Sequence, residues 1–274
     1  METIDWVESL SPWPAEFGLD RMRLLLDALD DPQARYPSIH VVGSNGKSTA
    51  ARTIEAHLAA AGLTVGAYLS PHVRGWAERI RAGGEEADFE RAVERVRPAA
   101  VAVGATQFEV LTAAAFAEFA VAGVDVAVVE AGLGGRLDAT NVIAAPVVLL
   151  TNVALEHTDV LGGTREAIAR EKLAVAGPEA TVVLPDREFA PLVPQAHVVV
   201  GGAGEAAAAF LGGPVAEVEV ALPGRLEWRS DDEVWDGAHN LAGVAYVLPR
   251  LPTASWTVVA SILRDKDATG MLAG

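Results

Sequence analysis

Ser38-Ile39-His40-Val41-Val42-Gly43-Ser44-Asn45-Gly46-Lys47-Ser48-Thr49 is the stretch on which the fold turns. Its first five residues read as a buried strand, Gly43–Gly46 as a glycine-rich turn, and an alanine-rich helix follows from about Ser48 to Ala61. Glycines let backbone N–H groups turn inward around phosphate oxygens, and the helix N-terminus adds favourable dipole charge. Lys47 can reach the β- and γ-phosphates, and the Ser48 hydroxyl is placed to ligate Mg²⁺. Gly43, Ser44, Asn45, Gly46, Lys47, Ser48 and Thr49 are therefore candidate ATP-binding residues. Position 41 is Val where the general phosphate-loop pattern has Gly, so the match is to a shorter variant, G-x-N-G-K-[ST]. The plain alternative is a glycine turn before a helix. The Lys-Ser pair between strand and helix favours the nucleotide.

The flanking sequence repeats the alternation. Leu19, Met22, Leu25, Leu26 and Leu29 fall at helical spacing, and Asp31-Pro32 ends that helix. Thr64–Leu69 predicts a second strand, Asp88–Val103 an amphipathic helix, and Phe108, Leu111, Ala115 and Phe119 mark another. Val124–Val129 and Val147–Leu150 are continuous apolar runs, as in parallel strands covered on both faces. Thr164–Ala176 predicts a helix, and Thr181–Leu184 and Val198–Val200 predict strands. Such alternation makes a doubly wound, mostly parallel α/β sheet. Gly201–Pro214 is Gly/Ala-rich and carries little pattern; after Pro223-Gly224-Arg225, a strand–turn–helix–strand opens at Val234 and ends on a strand at Trp256–Ser261. The chain thus divides into a central ATP-binding domain, 1–228, and the beginning of a smaller α/β domain, 229–274.

Composition narrows the function. The 274 residues are 51% hydrophobic, enough for one large core with a small one beside it. Without cysteine there are no disulfides or thiolate metal sites, so any metal is held by O and N ligands. The acidic start Met1-Glu2-Thr3-Ile4-Asp5 lacks the order of a signal peptide, and no apolar run is clean enough to span a bilayer, so a cytoplasmic protein is expected. A formal charge of −16 argues against nucleic acid and anionic membranes as partners. It also means that phosphates must be held by local features against the global field.

The shorter phosphate loop resembles that of the Mur ligase superfamily, and further motifs resemble the folylpolyglutamate synthase/dihydrofolate synthase family within it. They are Phe17-Gly18-Leu19-Asp20-Arg21-Met22 and Asp31-Pro32-Gln33 ahead of Ile39-His40-Val41; Ser70-Pro71-His72 with Glu78-Arg79-Ile80; and Phe108-Glu109-x-x-Thr112. The block Glu130-Ala131-Gly132-Leu133-Gly134-Gly135-Arg136-Leu137-Asp138-Ala139-Thr140-Asn141 is the most specific. Glu156-His157 with Glu171-Lys172, Pro223-Gly224-Arg225, and Asp236-Gly237-Ala238-His239-Asn240 complete the series.

The resemblance implies an ATP-dependent amide ligase that joins L-glutamate to dihydropteroate, or to the γ-carboxylate of a folate, through an acyl phosphate. It also implies two Mg²⁺ ions, with Glu130 and His157 as ligands and Ser48 and Ser70 supplying hydroxyl oxygens. Lys47, Glu130, His157 and Lys172 are the implied catalytic residues, Lys172 in carbamylated form. The pterin and aminobenzoate end falls to Thr106, Gln107, Phe108, Glu109, Arg136, Leu137 and Asp138, and further ATP contacts to Arg225, Asp236 and His239. Family members are expected to act as monomers. Read as ordinary residues, Glu130 would pair with Arg136, Lys172 would sit in a helical Glu-Lys pair, and Phe108 would be core.

The chain departs from the family pattern at several points. Ser48 follows Lys47 with no intervening Gly, and Glu156 replaces the usual Asp before His157. No His-Gln motif with a nearby Asn lies between Val200 and Leu222, and the chain stops at Gly274, where the family continues with most of its second domain. Two other readings fit parts of the sequence. One is a Mur-type ligase acting on a nucleotide-linked peptide, and the other a non-catalytic nucleotide-binding fragment.

Overall fold

The computed structural model describes residues 2–263 and 267–273, so that Arg264–Lys266, beside the expected end of the second domain, lie outside the described residues. Its helices are α1 (Thr3–Ser9), α2 (Asp20–Asp27), α3 (Lys47–Ala60), α4 (Phe89–Val103), α5 (Gln107–Ala122), α6 (Thr158–Leu161), α7 (Arg165–Leu173), α8 (Ala203–Leu211), α9 (Leu241–Val247) and α10 (Ala268–Ala273). The strands are β1 (Ser38–Val42), β2 (Val65–Tyr68), β3 (Ile80–Ala82), β4 (Glu85–Glu86), β5 (Val126–Glu130), β6 (Val147–Leu150), β7 (Thr181–Leu184), β8 (His197–Val200), β9 (Glu227–Ser230) and β10 (Glu233–Trp235).

Two compact units result, Met1–Val220 and Ala221–Gly274. The first is built on an eight-stranded sheet of order β4-β3-β2-β5-β1-β6-β7-β8, parallel except where β3 and β4 run antiparallel. This is the expected doubly wound α/β fold. Every residue of β1, β2, β5 and β6 is buried, so their apolar runs have no polar face to show. Alternate residues serve opposite layers. Ile39 and Val41 pack with Ala51, Ile54 and Leu58 of α3 and Ala206 and Ala207 of α8. Val42, Ala127, Val129 and Val148 face the larger layer built from α1, α2, α4, α5 and α7. α5 is apolar nearly all round because it is buried nearly all round.

The sheet sets the place of the site. The chain passes from β1 outward to β2, returns to β5, then crosses β1 to reach β6. Segments leaving the carboxyl ends of β5 and β6 therefore diverge on either side of the loop after β1. Such a switch point is where open α/β sheets bind ligands.

The second unit differs from expectation. Residues 227–235 form the antiparallel hairpin β9–β10, so the predicted boundary at 228/229 falls inside β9. Trp256–Ser261 is not a strand: Val258 and Val259 are 73% and 95% exposed. Its β-branched composition suits a strand, but a strand also needs a hydrogen-bonding neighbour. No described helix is long and apolar enough to cross a membrane.

Candidate active site

The phosphate loop is formed by backbone conformations its glycines supply. Gly43 has φ 149°, and a Cβ there would collide with Thr151 Oγ1; Gly46, the N-cap of α3, has φ 77°. The segment after β6 straps the loop in place. Ser44 N donates to Asn152 O at 3.0 Å, Asn45 N to Asn152 Oδ1 at 2.9 Å, and Thr151 Oγ1 to Asn45 O at 2.7 Å. Lys47 Nζ folds over the loop and donates to Gly43 O at 3.1 Å. Ser48 and Thr49 occupy the first turn of α3.

Glu130, the last residue of β5, is 1% exposed. Its carboxylate accepts from Ser48 Oγ at 3.1 Å and from Ser70 N at 3.0 Å. The first turn of α3 and the segment after β2 thus meet on the carboxylate that ends β5. The pairing of Glu130 with Arg136 does not form; Arg136 Nε instead donates to Glu171 Oε2 at 2.8 Å on the exposed side. His157 stands at the N-cap of α6 in left-handed backbone, φ 45°, and is exposed. Among the described residues no three His, Asp or Glu side chains are grouped to hold a metal. The donor set still fits Mg²⁺, which prefers oxygen and takes few protein ligands beside waters and phosphate oxygens.

Lys172 is 1% exposed, and its Nζ donates to Gly43 O at 2.9 Å and Glu156 Oε1 at 3.0 Å. It is neither on a solvated helix face nor paired with Glu171. Burial lowers the pKa of Lys172, while Glu156 works in the other direction. For Glu156, burial pushes upward, but Lys172, Lys47 and Ser44 together hold the carboxyl below its usual range. The buried pair ties the phosphate loop to the loop carrying His157.

A cleft in the same unit is lined by Pro12, Trp13, Phe17, Thr106, Phe108, Leu133, Leu137 and Asp138. Phe108 is only partly buried and is both cleft wall and core edge. It lies so close to Gly132 that a Cβ there would sit 2.5 Å from the ring. Asp138 is buried, and burial raises its pKa against the opposing bonds from Leu133 N, 2.8 Å, and from Thr140. Thr140 Oγ1 donates to Asp138 and accepts from His40 Nε2 at 2.9 Å, a buried relay reaching β1. The other predicted substrate residues already hold structural bonds. Glu109 closes a capping box on Thr106 and accepts from Arg21 Nε at 2.7 Å, and Gln107 Nε2 donates to Val7 O at 2.9 Å.

Arg79 and His72 occur in the motifs quoted above but carry no role there. Arg79, 9% exposed, donates from Nε to His72 Nδ1 at 3.0 Å and lies over the Trp76 ring. Burial lowers its pKa, and the nearby Tyr68 and Glu130 work against that. The β2–β3 pairing brings Arg79 next to the Ser70 segment, Leu69 N donating to Arg79 O at 2.9 Å. Only the strand pairing reveals this. In the second unit, Asp236 accepts from Leu226 N at 2.8 Å and Ala238 N at 2.7 Å. The Arg225 guanidinium packs against Gly237, and His239 is exposed. Arg225, Asp236 and His239 are thus neighbours within that unit.

Comparison with known proteins agrees with this geometry. The Mur ligase middle domain family matches residues 41–187. The dihydrofolate synthase/folylpolyglutamate synthase of Mycobacterium tuberculosis is 33% identical over 355 positions, covering 95% of this chain and 73% of that protein. Those 355 positions exceed the chain's 274 residues, so the relative carries intervening residues that this chain lacks. The folylpolyglutamate synthase of Lacticaseibacillus casei is 32% identical, covering 98% and 81%. Among solved structures, an FPGS–AMPPCP–folate complex superposes with a TM-score of 0.89 at 30% identity, covering 99% of this chain and 86% of that one. A bifunctional folylpolyglutamate synthase/dihydrofolate synthase with Mn, AMPPNP and L-glutamate bound gives 0.85 at 30%, covering 98% and 79%. The chain belongs to the folylpolyglutamate synthase/dihydrofolate synthase family of ATP-dependent amide ligases, within the Mur ligases.

Proposed function

We propose that this chain joins L-glutamate to a folate-type carboxylate, that of dihydropteroate or the γ-carboxylate of a reduced folate, with ATP as the activating reagent. The observation that carries this reading is the meeting of Ser48, Ser70 and Glu130 beside a preformed phosphate loop, in one unit with an aromatic-lined cleft. Similar chains were solved with folate, nucleotide analogues, Mn and L-glutamate.

A carboxylate does not condense with an amine in water without activation. In the proposed sequence an acceptor carboxylate oxygen attacks the γ-phosphorus, the bond to the β-phosphate oxygen breaks, and ADP leaves an acyl phosphate. The glutamate amine attacks the acyl carbon and loses a proton, and phosphate departs from the tetrahedral intermediate. The protein's share is positioning and charge neutralisation. Backbone N–H groups at the start of α3, Lys47–Thr49, cradle phosphate oxygens, Ser44 N and Asn45 N being bound to Asn152, and Lys47 leaves the Gly43 carbonyl for the transferring group. Ser48, Ser70, Glu130 and His157 would hold Mg²⁺, two ions by the family resemblance, which supplies further neutralisation when bound. Thr106, Phe108, Leu137 and Asp138 receive the ring end of the acceptor, Asp138 as acceptor for ring N–H groups. For Arg225, Asp236 and His239 an ATP role rests on the family motifs that carry them.

Carbamylation of Lys172 requires the amine to leave Glu156, because a carbamate there would face a carboxylate. Burial favours the neutral amine that reacts with CO₂. A carbamate resonance under isotopically labelled CO₂, absent from Lys172→Arg, is the expected sign. Its partners are read as small molecules in the cytoplasm, a charge of −16 repelling nucleic acid and anionic lipid, and its full-length relatives as monomers.

Hydroxylamine in place of glutamate tests the intermediate. The reading predicts an acceptor hydroxamate formed with ADP, and comparing dihydropteroate with tetrahydrofolate identifies the acceptor. ATP binding with no hydroxamate from either would instead support a non-catalytic nucleotide-binding protein.

A further inference from the structure

We propose that Trp13 is the outer plate of an aromatic clamp, with Phe108 as the inner plate, that grips the fused ring of the acceptor and selects flat heteroaromatic substrates. The assignment rests on the acceptor reading above and adds to it a residue and a mode of recognition.

Trp13 is 47% exposed, in the irregular segment between α1 and α2. Its indole N–H has no partner among the described residues, and its ring contacts are aromatic. The Trp13 centroid lies 6.4 Å from that of Phe17 and 6.4 Å from that of Phe108, with planes tilted by 45° and 37°. Phe108 continues the series to Tyr68 at 6.1 Å. A large ring left this open on an acidic protein loses apolar burial that a ligand would restore.

The spacing decides what fits. A flat ring between two others needs about 7 Å, two carbon–carbon contacts of about 3.5 Å. Trp13 and Phe108 stand slightly closer than that and out of parallel. A small outward swing of one plate opens the slot.

The two plates differ in freedom to move. Phe108 is pressed onto the Gly132 backbone and anchored in α5. Trp13 has only its backbone pinned: Ser11 Oγ donates to Trp13 O at 2.6 Å, and Gln107 N donates to Ser11 O at 2.9 Å. The loop is moored while the indole can turn. Asp138 and Thr106 line the same cleft and offer polar contacts to the edge of a ring held there.

Equilibrium titrations of the full chain with folate and dihydropteroate, and separately with ATP–Mg²⁺, test the clamp. Trp13→Ala is expected to weaken both pterin compounds by about 10- to 100-fold, the range for loss of one aromatic stacking partner. Trp13→Phe should recover most of that, and neither variant should change ATP affinity or Tm. The binding-induced fluorescence change should also shrink in Trp13→Phe although five tryptophans of the six remain. An unchanged pterin Kd in Trp13→Ala overturns the clamp alone, as does equal weakening in both variants with a lowered Tm. A wild-type chain that binds ATP but neither pterin compound overturns the acceptor reading, and the clamp with it.

Discussion

Lys47 rests on the carbonyl of Gly43 at 3.1 Å, a contact that it exchanges for the γ-phosphate in the proposed reaction. Lys47→Ala should therefore lower ligation about a hundredfold or more while leaving Tm unchanged, the usual cost of losing one preorganised charge clamp. Steady-state turnover and a melting curve check both halves. Glu130→Gln keeps one oxygen to accept from Ser70 N and turns an amide N–H toward the Ser48 hydroxyl, which can accept it, but removes a negative charge from the proposed metal site. Turnover should fall and its Mg²⁺ requirement rise, with metal-free Tm unchanged; lost metal-free stability with unaltered Mg²⁺ dependence would make Glu130 structural. His40 is fully buried, and burial lowers its pKa from 6.5 to about 3. Between those values only the unfolded chain binds the extra proton, so stability falls as pH drops from 6.5 toward 3. The slope for one proton is about 1.4 kcal/mol per pH unit. Melting temperatures of wild type and His40→Gln across that window should converge at the acid end, and parallel curves would contradict the assignment.

At the scale of elements, the apolar runs located β1, β2, β5 and β6 because a doubly covered sheet leaves no polar positions to blur them, and their valines located β7 and the partly exposed edge strand β8. Elements defined by partners were not legible. β3 and β4 are three and two residues long and exist through pairing with β2 and each other. α8 lies in the Gly/Ala-rich stretch passed over as patternless; its small Ala206 and Ala207 pack on the sheet, and Glu205 accepts from Gly202 N at 2.7 Å at its start. Glu109 shows the same limit at a site. Its place in a family motif implies substrate binding, whereas the structure makes it the capping-box residue of α5 and the partner of Arg21. Glu109→Ala should cost about 1–3 kcal/mol, a cap plus a charged hydrogen bond, and lower Tm by several degrees. A weakened folate Kd with no change in Tm would return Glu109 to the substrate.

For the whole molecule, the order of motifs along the chain carried the family, but not how they meet. Ser48, Ser70 and Glu130 are brought together because β2, β5 and β1 are adjacent and parallel, an order no local pattern shows. The ring cleft likewise needs the loop around Trp13 to fold beside Phe108 and Asp138, far apart in sequence. In the proposed reaction a charge of −16 is reconciled with a nucleotide by local means: the N–H groups at the start of α3, Lys47, and a carboxylate suited to a divalent ion. The most direct test of the central claim is ADP release with ATP and Mg²⁺, measured with and without a folate-type acceptor and L-glutamate, alongside quantified product. The account predicts ADP release that needs the acceptor, is driven to completion by glutamate, and yields one new amide per ADP. ADP formed at the same rate without the acceptor, or ATP bound with no ADP under full conditions, would contradict it.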